Sequence, residues 1–393
     1  MSKAQLIEMA RNDLKHGRAG TIEKAKDIYK VPVEKYYDPG RFDLEMKQIF
    51  RRIPLVLATT AELREVGDYK AMEAAGVQVL ITRTKTGAVK AFVNMCTHRG
   101  ARLTEQGCGK AYKFTCPYHA WTFSPEGDLV AVYAEQDFGD IDKSSFGLTE
   151  LPTLEKAGLI WVTLNPQSNL DIKDFLSGYD SLLEQFGFET WHLQATQVLD
   201  GPNWKVAYDG YLDYYHLPIL HGRSFGTDIG NQAIYYSWGP HQHLGRPDTS
   251  WAEYEDLAPQ EWPTPRLLQG VWTIFPHISI ASFQGGGRSV MISQLFPGET
   301  PETSRTVQYY LMEKAPDTND LELEAKEQFD FLKFVVGEED YATGNALQKN
   351  LSVGARDYVV FGKNELGGQN FHQWVDAIVD ASDEDLPKLF KTG

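Results

Sequence analysis

The chain has 393 residues, 42% of them apolar and 12% aromatic, which is enough for two domains with ample cores. Its 38 basic residues against 54 acidic ones give a formal charge of −16, and with no basic tract this argues against nucleic acid or an anionic membrane as a partner. Three cysteines make no disulfide framework, no run reaches transmembrane length, and the opening MSKAQLIEMARNDLKHG is mixed-charge and helical rather than a secretion signal, so a cytoplasmic protein is expected.

In chain order, Leu6, Ile7, Ala10 and Leu14 recur at helical spacing and predict helices over residues 1–30. YYDPGRF (36–42) reads as a turn at Pro39 and Gly40, and DLEMKQIFRR (43–52) as a short helix. From about 54 to 165 the texture changes to short β-rich runs (PLVLATT, VQVLITR, AVKAFVN, LIWVTLN) broken by Gly, Asn and charged turns, as in a small all-β domain. Helical signals return at DIKDFLSGYDSLLEQFG (171–187). Residues 232–312 are strand-rich: IYYSW, GVWTIFP, ISIASF, SVMISQLF and TVQYYLM. QGGGR (284–288) lies between two of these runs and reads as a hairpin turn, since no helix start or Lys-Ser/Thr follows to make a phosphate cradle. Helix is predicted again over 319–350, and a polar helical tail over 371–392. The class is α+β, divided into N-terminal helices (1–42), an all-β module (43–168) and a region with a long antiparallel sheet and helices (169–393).

Two stretches carry chemistry. The first is CTHRGARLTEQGCGKAYKFTCPYHAWTF, where Cys96 and His98, then Cys116 and His119, each offer one sulfur and one nitrogen on a tight loop. A structural zinc of Cys₂His₂ type accepts such ligands, but zinc fingers pair like with like on each arm. Alternating Cys and His on two β loops is the arrangement of a Rieske [2Fe–2S] centre, with two thiolates on one iron and two imidazoles on the other. Neutral imidazoles reduce the negative charge of the cluster and raise its potential to roughly −150 to +300 mV, against about −400 mV for all-cysteine plant-type clusters. Cys108 fits neither arm and reads as an ordinary buried or loop thiol.

The second stretch is NWKVAYDGYLDYYHLPILH (203–221). Asp213 and His216 are three apart and share one face if helical. His216 and His221 are five apart with Pro218 between them, so a kink or widening there is expected to turn both rings toward one point. Imidazoles with a carboxylate suit iron, zinc or copper rather than magnesium or calcium. The bland alternative is a pair of half-buried core histidines at a helix end.

The motifs C96-T-H98-R-G … C116-P-Y-H119-A-W and N203-W-K … D213-Y-Y-H216-x4-H221 resemble those of the Rieske non-haem iron oxygenases, most closely the large (α) subunits of aromatic ring-hydroxylating enzymes such as naphthalene dioxygenase. The likeness covers nearly the whole chain. It departs from the usual pattern at Ala120, where many members have Gly, and at Asp209, where Glu or Asn is common. The resemblance implies a catalytic domain of helix-grip type and a mononuclear Fe(II) held by His216, His221 and a carboxylate from the VVGEEDYATGNALQKNL stretch. The family uses the Asp of a Glu-Asp pair with Gln eight residues later, here Asp340 with Gln348; Glu339 is the runner-up, and a solvated acidic helix start is the plain reading of the triplet. It further implies that Asp213 bridges His119 of a neighbouring subunit's cluster to His216, in a homotrimer or trimer-based assembly.

These readings predict a terminal oxygenase that takes electrons from a ferredoxin or flavin reductase, and so uses NAD(P)H only indirectly, because the chain carries no dinucleotide fingerprint. Hydroxylation of an aromatic or similar apolar ring by one or two oxygens is favoured, with oxidative O- or N-demethylation as the alternative. Only Arg223 supplies positive charge soon after the iron motif, which disfavours a strongly anionic substrate. A pure Rieske electron carrier would leave the last 200-odd residues unexplained, and a zinc-stabilised binding protein would be colourless. His241 and His243 read as an exposed loop pair, and His16, His192, His277 and His372 as isolated residues without a metal role. Trp238, Trp272, Phe275 and Phe283 fall on predicted strands and suit core packing or the wall of an apolar pocket.

Overall fold

The N-terminal helix runs Ser2–Ala19 and stops there; Tyr29–Pro32 is a strand paired antiparallel with Tyr358–Phe361, so the helices expected over 1–30 are replaced in part by extended chain. Pro39 does not mark a turn. It opens helix Pro39–Glu45 behind Asp38, whose carboxylate accepts from the Arg41 amide at 2.6 Å, because proline lacks only a donor that the first helical turn cannot use. That helix continues into a π turn over Met46–Phe50. The computed structural model describes residues 2–391, and the chain forms two units: residues 50–175 with 188–190, and the remainder.

The first unit is almost all β. One sheet has the strand order Glu150–Leu151, Val89–Val93, Val77–Arg83, Asp68–Ala74, Gly107–Lys110. A second has Thr153–Lys156, Leu159–Thr163 and Pro54–Thr59. Leu159–Thr163 and Pro54–Thr59 are buried along their whole length, as continuous apolar runs should be when both faces are covered. A third, small sheet of Phe114–Thr115, Thr122–Phe123 and Leu129–Ala131 carries one of the Cys/His loops. Cys96 and Cys116 belong to the core of this unit, with Leu80, Phe92, Trp121 and Phe123.

The second unit is built on a seven-stranded antiparallel sheet, in the order His192–Gly201, Ser304–Met312, Ser289–Pro297, Ile278–Phe283, Val271–Ile274, His241–Gly245, Ile234–Trp238. Five of these were expected. His192–Gly201 and His241–Gly245 were not, since HLQATQVLDG and HQHLG carry few β-branched or aromatic residues and owe their conformation to pairing. His241 and His243 are therefore buried rather than on an exposed loop: His241 stacks on Tyr179 and His243 lies against Trp272. Helix Leu366–Asp380 buries Phe371, His372, Val375, Ile378 and Val379, so the expected polar tail is a packed element; position 392 lies outside the described residues. Among the described residues no helix is long and apolar enough to cross a membrane.

Helix Trp204–Asp209 is pinned from both sides. Asn203 caps it, accepting from the Lys205 amide at 2.8 Å, and its side-chain NH₂ donates to the carbonyls of Tyr36 and Pro301. Lys205 and Glu45 form a fully buried ion pair at 2.5 Å, with Trp204 and Arg41 also donating to Glu45. Tyr208 donates to the carbonyls of Ile274 and Ile278 on the sheet. These contacts fix the segment that follows, which carries the second chemical motif.

Candidate metal centres

The two Cys/His loops have the same backbone plan. The Cys96 amide donates to the Ala101 carbonyl (2.8 Å) and the Gly100 amide to the Cys96 carbonyl (2.9 Å); the Cys116 amide donates to the Trp121 carbonyl (2.7 Å) and the Ala120 amide to the Cys116 carbonyl (3.0 Å). Each turn needs a residue with positive φ four places after its cysteine: Gly100 at +79° and Ala120 at +56°. Gly is free to adopt this conformation, whereas the Cβ of Ala120 meets the backbone there.

Both cysteines are buried free thiols. Burial pushes the Cys96 thiol up, opposed by the backbone amides of His98 and Arg99, which point at its sulfur; Cys116 is its hydrogen-bonding neighbour. The His98 and His119 rings lie 4.8 Å apart between centroids, and His98 stacks on Trp121 at 4.8 Å and 10°. His119 Nδ1 is buried without a hydrogen bond, while Nε2 meets Arg99 at 2.7 Å. A buried nitrogen without a partner, on a loop that also carries a buried thiol, is available as a ligand. The set of two sulfurs, two imidazoles and amides aimed at sulfur fits a Rieske [2Fe–2S] group. Cys108 lies on strand Gly107–Lys110, exposed rather than buried, and takes no part.

The second motif is not one kinked helix. After Trp204–Asp209 and a short 3₁₀ turn, Asp213 is extended (φ −142°, ψ 156°), and a new helix, Leu217–Leu220, begins with Pro218 in its first turn. Asp213 and His216 therefore meet as a turn, not across a helix face. Asp213 Oδ1 accepts from the His216 amide (3.1 Å) and lies 3.0 Å from its Nδ1. Pro218 starts a helix whose far end sets His221.

Residues Val335–Tyr341 form a π turn between helices Asn319–Phe334 and Ala342–Leu351, a distortion common at functional sites. On an ideal helix neighbours point about 100° apart; here consecutive Glu339 and Asp340 both reach the histidines. Glu339 Oε2 lies 2.6 Å from His221 Nδ1 and its Oε1 accepts from Ser224 at 2.7 Å. Asp340 Oδ1 lies 3.1 Å from His221 Nε2 and 3.8 Å from His216 Nε2. His216, His221 and Asp340 thus offer three donor atoms within 4.8 Å of one another. Each imidazole has a carboxylate on Nδ1, which fixes the ring and raises its basicity, and turns Nε2 to the common point. Burial opposes charge on His221, but Asp340 and Glu339 raise its pKa nonetheless. Two nitrogens and one oxygen gathered on one side fit the facial set of a non-haem Fe(II) centre. Glu339, the alternative ligand in sequence, faces the outer nitrogen of His221 instead. Its part was hidden because adjacent carboxylates in EED cannot be told apart without the π turn. Gln348 is buried elsewhere, donating to the Tyr36 carbonyl.

Two cavities flank this motif. One of about 290 Å³ is lined by Asp213, His216, Asp340, Val206, Leu220 and Glu365. The other, of about 430 Å³, is lined by Tyr214, Leu217, Phe225 and Phe283 together with the charged residues Asp13, Asp248, Arg246 and Arg266. Phe225 also packs edge-on against the His221 ring. Of the four aromatic candidates from sequence, Phe283 lines this cavity; Trp272 and Phe275 are core, and Trp238 is half-buried. Arg246, just after strand His241–Gly245, and Arg266, in helix Thr264–Leu267, bring positive charge to this cavity from well beyond Arg223 in sequence. Of the remaining histidines, His372 bonds Asp209 and Tyr36 in the interior, His277 is buried with a pKa of about 3, His16 meets Thr21, and His192 is exposed at a strand end.

Residues 54–150 match the family model "Rieske [2Fe-2S] domain" and residues 188–381 match "Ring hydroxylating alpha subunit (catalytic domain)". The chain is 32% identical to the glycine betaine monooxygenase oxygenase subunit of Chromohalobacter salexigens over 52% of its own length and 45% of the relative's. It is 27% identical to the anthranilate 1,2-dioxygenase large subunit of Acinetobacter baylyi over 64% and 58%. The chain thus spans about half the length of the curated relatives it matches. The fold is shared with a quaternary ammonium Rieske monooxygenase, described for carnitine oxidation by gut microbiota and inter-subunit electron transfer, at a TM-score of 0.69 and 21% identity, over 91% of this chain and 99% of that one.

Proposed function

We infer, from the premise that this chain belongs to the Rieske non-haem iron oxygenases as an oxygenase large subunit, that it hydroxylates a small organic substrate with O₂ and electrons from a partner ferredoxin or flavin reductase. The observation that carries this reading is the convergence of His216, His221 and Asp340 within 4.8 Å, each histidine backed by its own carboxylate. The two domains imply a Rieske cluster, held by Cys96, His98, Cys116 and His119, and a mononuclear iron, held by His216, His221 and Asp340. When bound, the first supplies single electrons and the second activates dioxygen. We take residues 43–168 as the electron-entry module, and 1–42 with 169–393 as the catalytic part.

The chain's own residues hold and orient. Asp213 and Glu339 accept from Nδ1 of His216 and His221, which leaves Nε2 of each ring as the nitrogen that would face a metal. Phe225 and Leu217 present an apolar surface beside the centre, which excludes water and suits an aromatic ring or alkyl group. Asp213 is the residue we assign to electron and proton relay. Its Oδ2 makes no hydrogen bond among the described residues and is open to His119 of the partner subunit, as expected in a homotrimer or trimer-based assembly. Surface character supports this: Ile219 is 87% exposed beside His216, Tyr118 and Tyr133 are exposed on the Rieske unit, and Arg99 next to His119 complements Asp209, Asp213 and Glu365 around the smaller cavity.

The test is incubation of the iron-loaded protein with a reductase, NADH and a panel of substrates, followed by mass analysis. Wild type yields a product carrying one or two oxygen atoms from O₂. His216→Ala keeps the visible cluster spectrum and forms none; product formation by that variant, or a protein holding zinc in place of both irons, overturns the reading.

A further inference from the structure

The N-terminal helix lays Leu6, Met9, Ala10 and Asp13 along the larger cavity. Asp13 is the odd member. It is 8% exposed and forms no ion pair among the described residues; its one side-chain hydrogen bond comes from the Tyr236 hydroxyl, 2.8 Å from Oδ1. The approach is built in, since a Cβ at Gly245 would lie 3.0 Å from Asp13 Oδ2. A buried carboxylate with one neutral donor is unstable as an anion unless it meets a cation, and burial pushes this carboxyl up to about 7.

The same cavity holds a cation in the matching state. Arg246 lines it, is exposed, and makes no hydrogen bond or ion pair among the described residues, although its charge is felt at Asp13. Arg266, by contrast, is engaged by Glu253 and Ser250 and lies over Trp251 and Tyr254. The cavity therefore offers one unpaired acid, one unpaired base and the aromatic rings of Tyr214, Phe225 and Phe283. Aromatic faces and a carboxylate together bind an organic cation better than either alone.

We propose that this cavity takes an amphoteric substrate, its positively charged nitrogen held by Asp13 and its carboxylate by Arg246. The proposal rests on the oxygenase reading for the identity of the cavity as the substrate pocket, and Asp13 is its specificity-determining residue. A neutral hydrocarbon would leave the buried Asp13 carboxyl without a cation.

Calorimetric binding to the intact purified chain tests this without turnover. The probes are γ-butyrobetaine against its carbon isostere 5,5-dimethylhexanoate, and phenylalanine against 3-phenylpropanoate, so that alkylated and protonated nitrogen are distinguished. At least one zwitterion binds about tenfold or more tighter than its isostere, the size of one charge-assisted contact. Asp13→Asn brings that ratio to about one, and Arg246→Gln weakens both members of the pair while leaving the ratio in place. Equal affinity within both pairs, a ratio unchanged in Asp13→Asn, or no binding by any probe overturns the proposal. The wild-type ratio stands as a test even if a variant fails to fold, and product formation with the reductase reports separately on the oxygenase reading.

Discussion

Asp13 also makes a prediction about stability, because its carboxyl is held near pH 7 in the fold against 3.8 for an exposed aspartate. Between those values the native state binds a proton that the unfolded chain has lost, so stability falls as pH rises through this window. The separation of about three pH units at 1.36 kcal/mol each sets a ceiling of about 4 kcal/mol, of which about 3 kcal/mol lies between pH 5 and pH 8. Asp248 raises the carboxyl further, while Tyr236 and Arg246 lower it, so all the groups acting on Asp13 are already included in its net position. Asp13→Asn keeps the Oδ1 acceptor for Tyr236 and removes the titration. Urea unfolding of wild type and variant, followed by tryptophan fluorescence at both pH values, therefore gives a variant that gains about 3 kcal/mol on wild type as pH rises from 5 to 8. A bound zwitterion that satisfies Asp13 removes the same slope from the wild type. A difference between the two proteins that stays constant across this range would refute both the burial argument and the unpaired state of the acid.

Glu339→Gln replaces the carboxylate on His221 Nδ1 by an amide; affinity for the mononuclear iron falls about 10–100-fold in a chelator titration, with the cluster spectrum unchanged. Ala120→Gly relieves the left-handed backbone in the second Cys/His loop and stabilises the Rieske unit by about 1 kcal/mol, seen as a higher melting temperature. Glu45→Leu strands Lys205, which is 1% exposed, and costs about 3–5 kcal/mol in denaturant unfolding, whereas replacing both partners by apolar residues costs far less.

What could be read from sequence was local. Cys96 and His98, Cys116 and His119, and His216 and His221 lie at most five positions apart, so chain geometry alone constrains where their side chains go. The strands of the Rieske unit were legible for the same reason, since runs such as VQVLITR and LIWVTLN declare their burial in composition. Pro218 shows where local reading fails. A proline between two helical residues is compatible with a kink or with a fresh start, and the choice turns on the extended Asp213, which follows a helix that Asn203 and Lys205 anchor to Tyr36 and Glu45 far upstream. HQHLG fails similarly, because its strand state comes from neighbours on both sides rather than from its own residues.

The division between legible and hidden follows function as well as distance. Ligands to a metal must be few, of fixed chemical type and held on short loops, so they leave a pattern. Residues that choose a substrate need only line the same space. Asp13 and Arg246 are more than two hundred residues apart, and neither belongs to a motif; the sheet brings them together through Tyr236 and Gly245. Metal chemistry is thus written in spacing, while selectivity depends on which distant side chains the fold leaves unpaired around one cavity. Removing the charges at Asp13 and Arg246 therefore changes which molecules bind without moving either metal centre, and measuring both metal content and ligand preference in one Asp13→Asn, Arg246→Gln double variant separates the two.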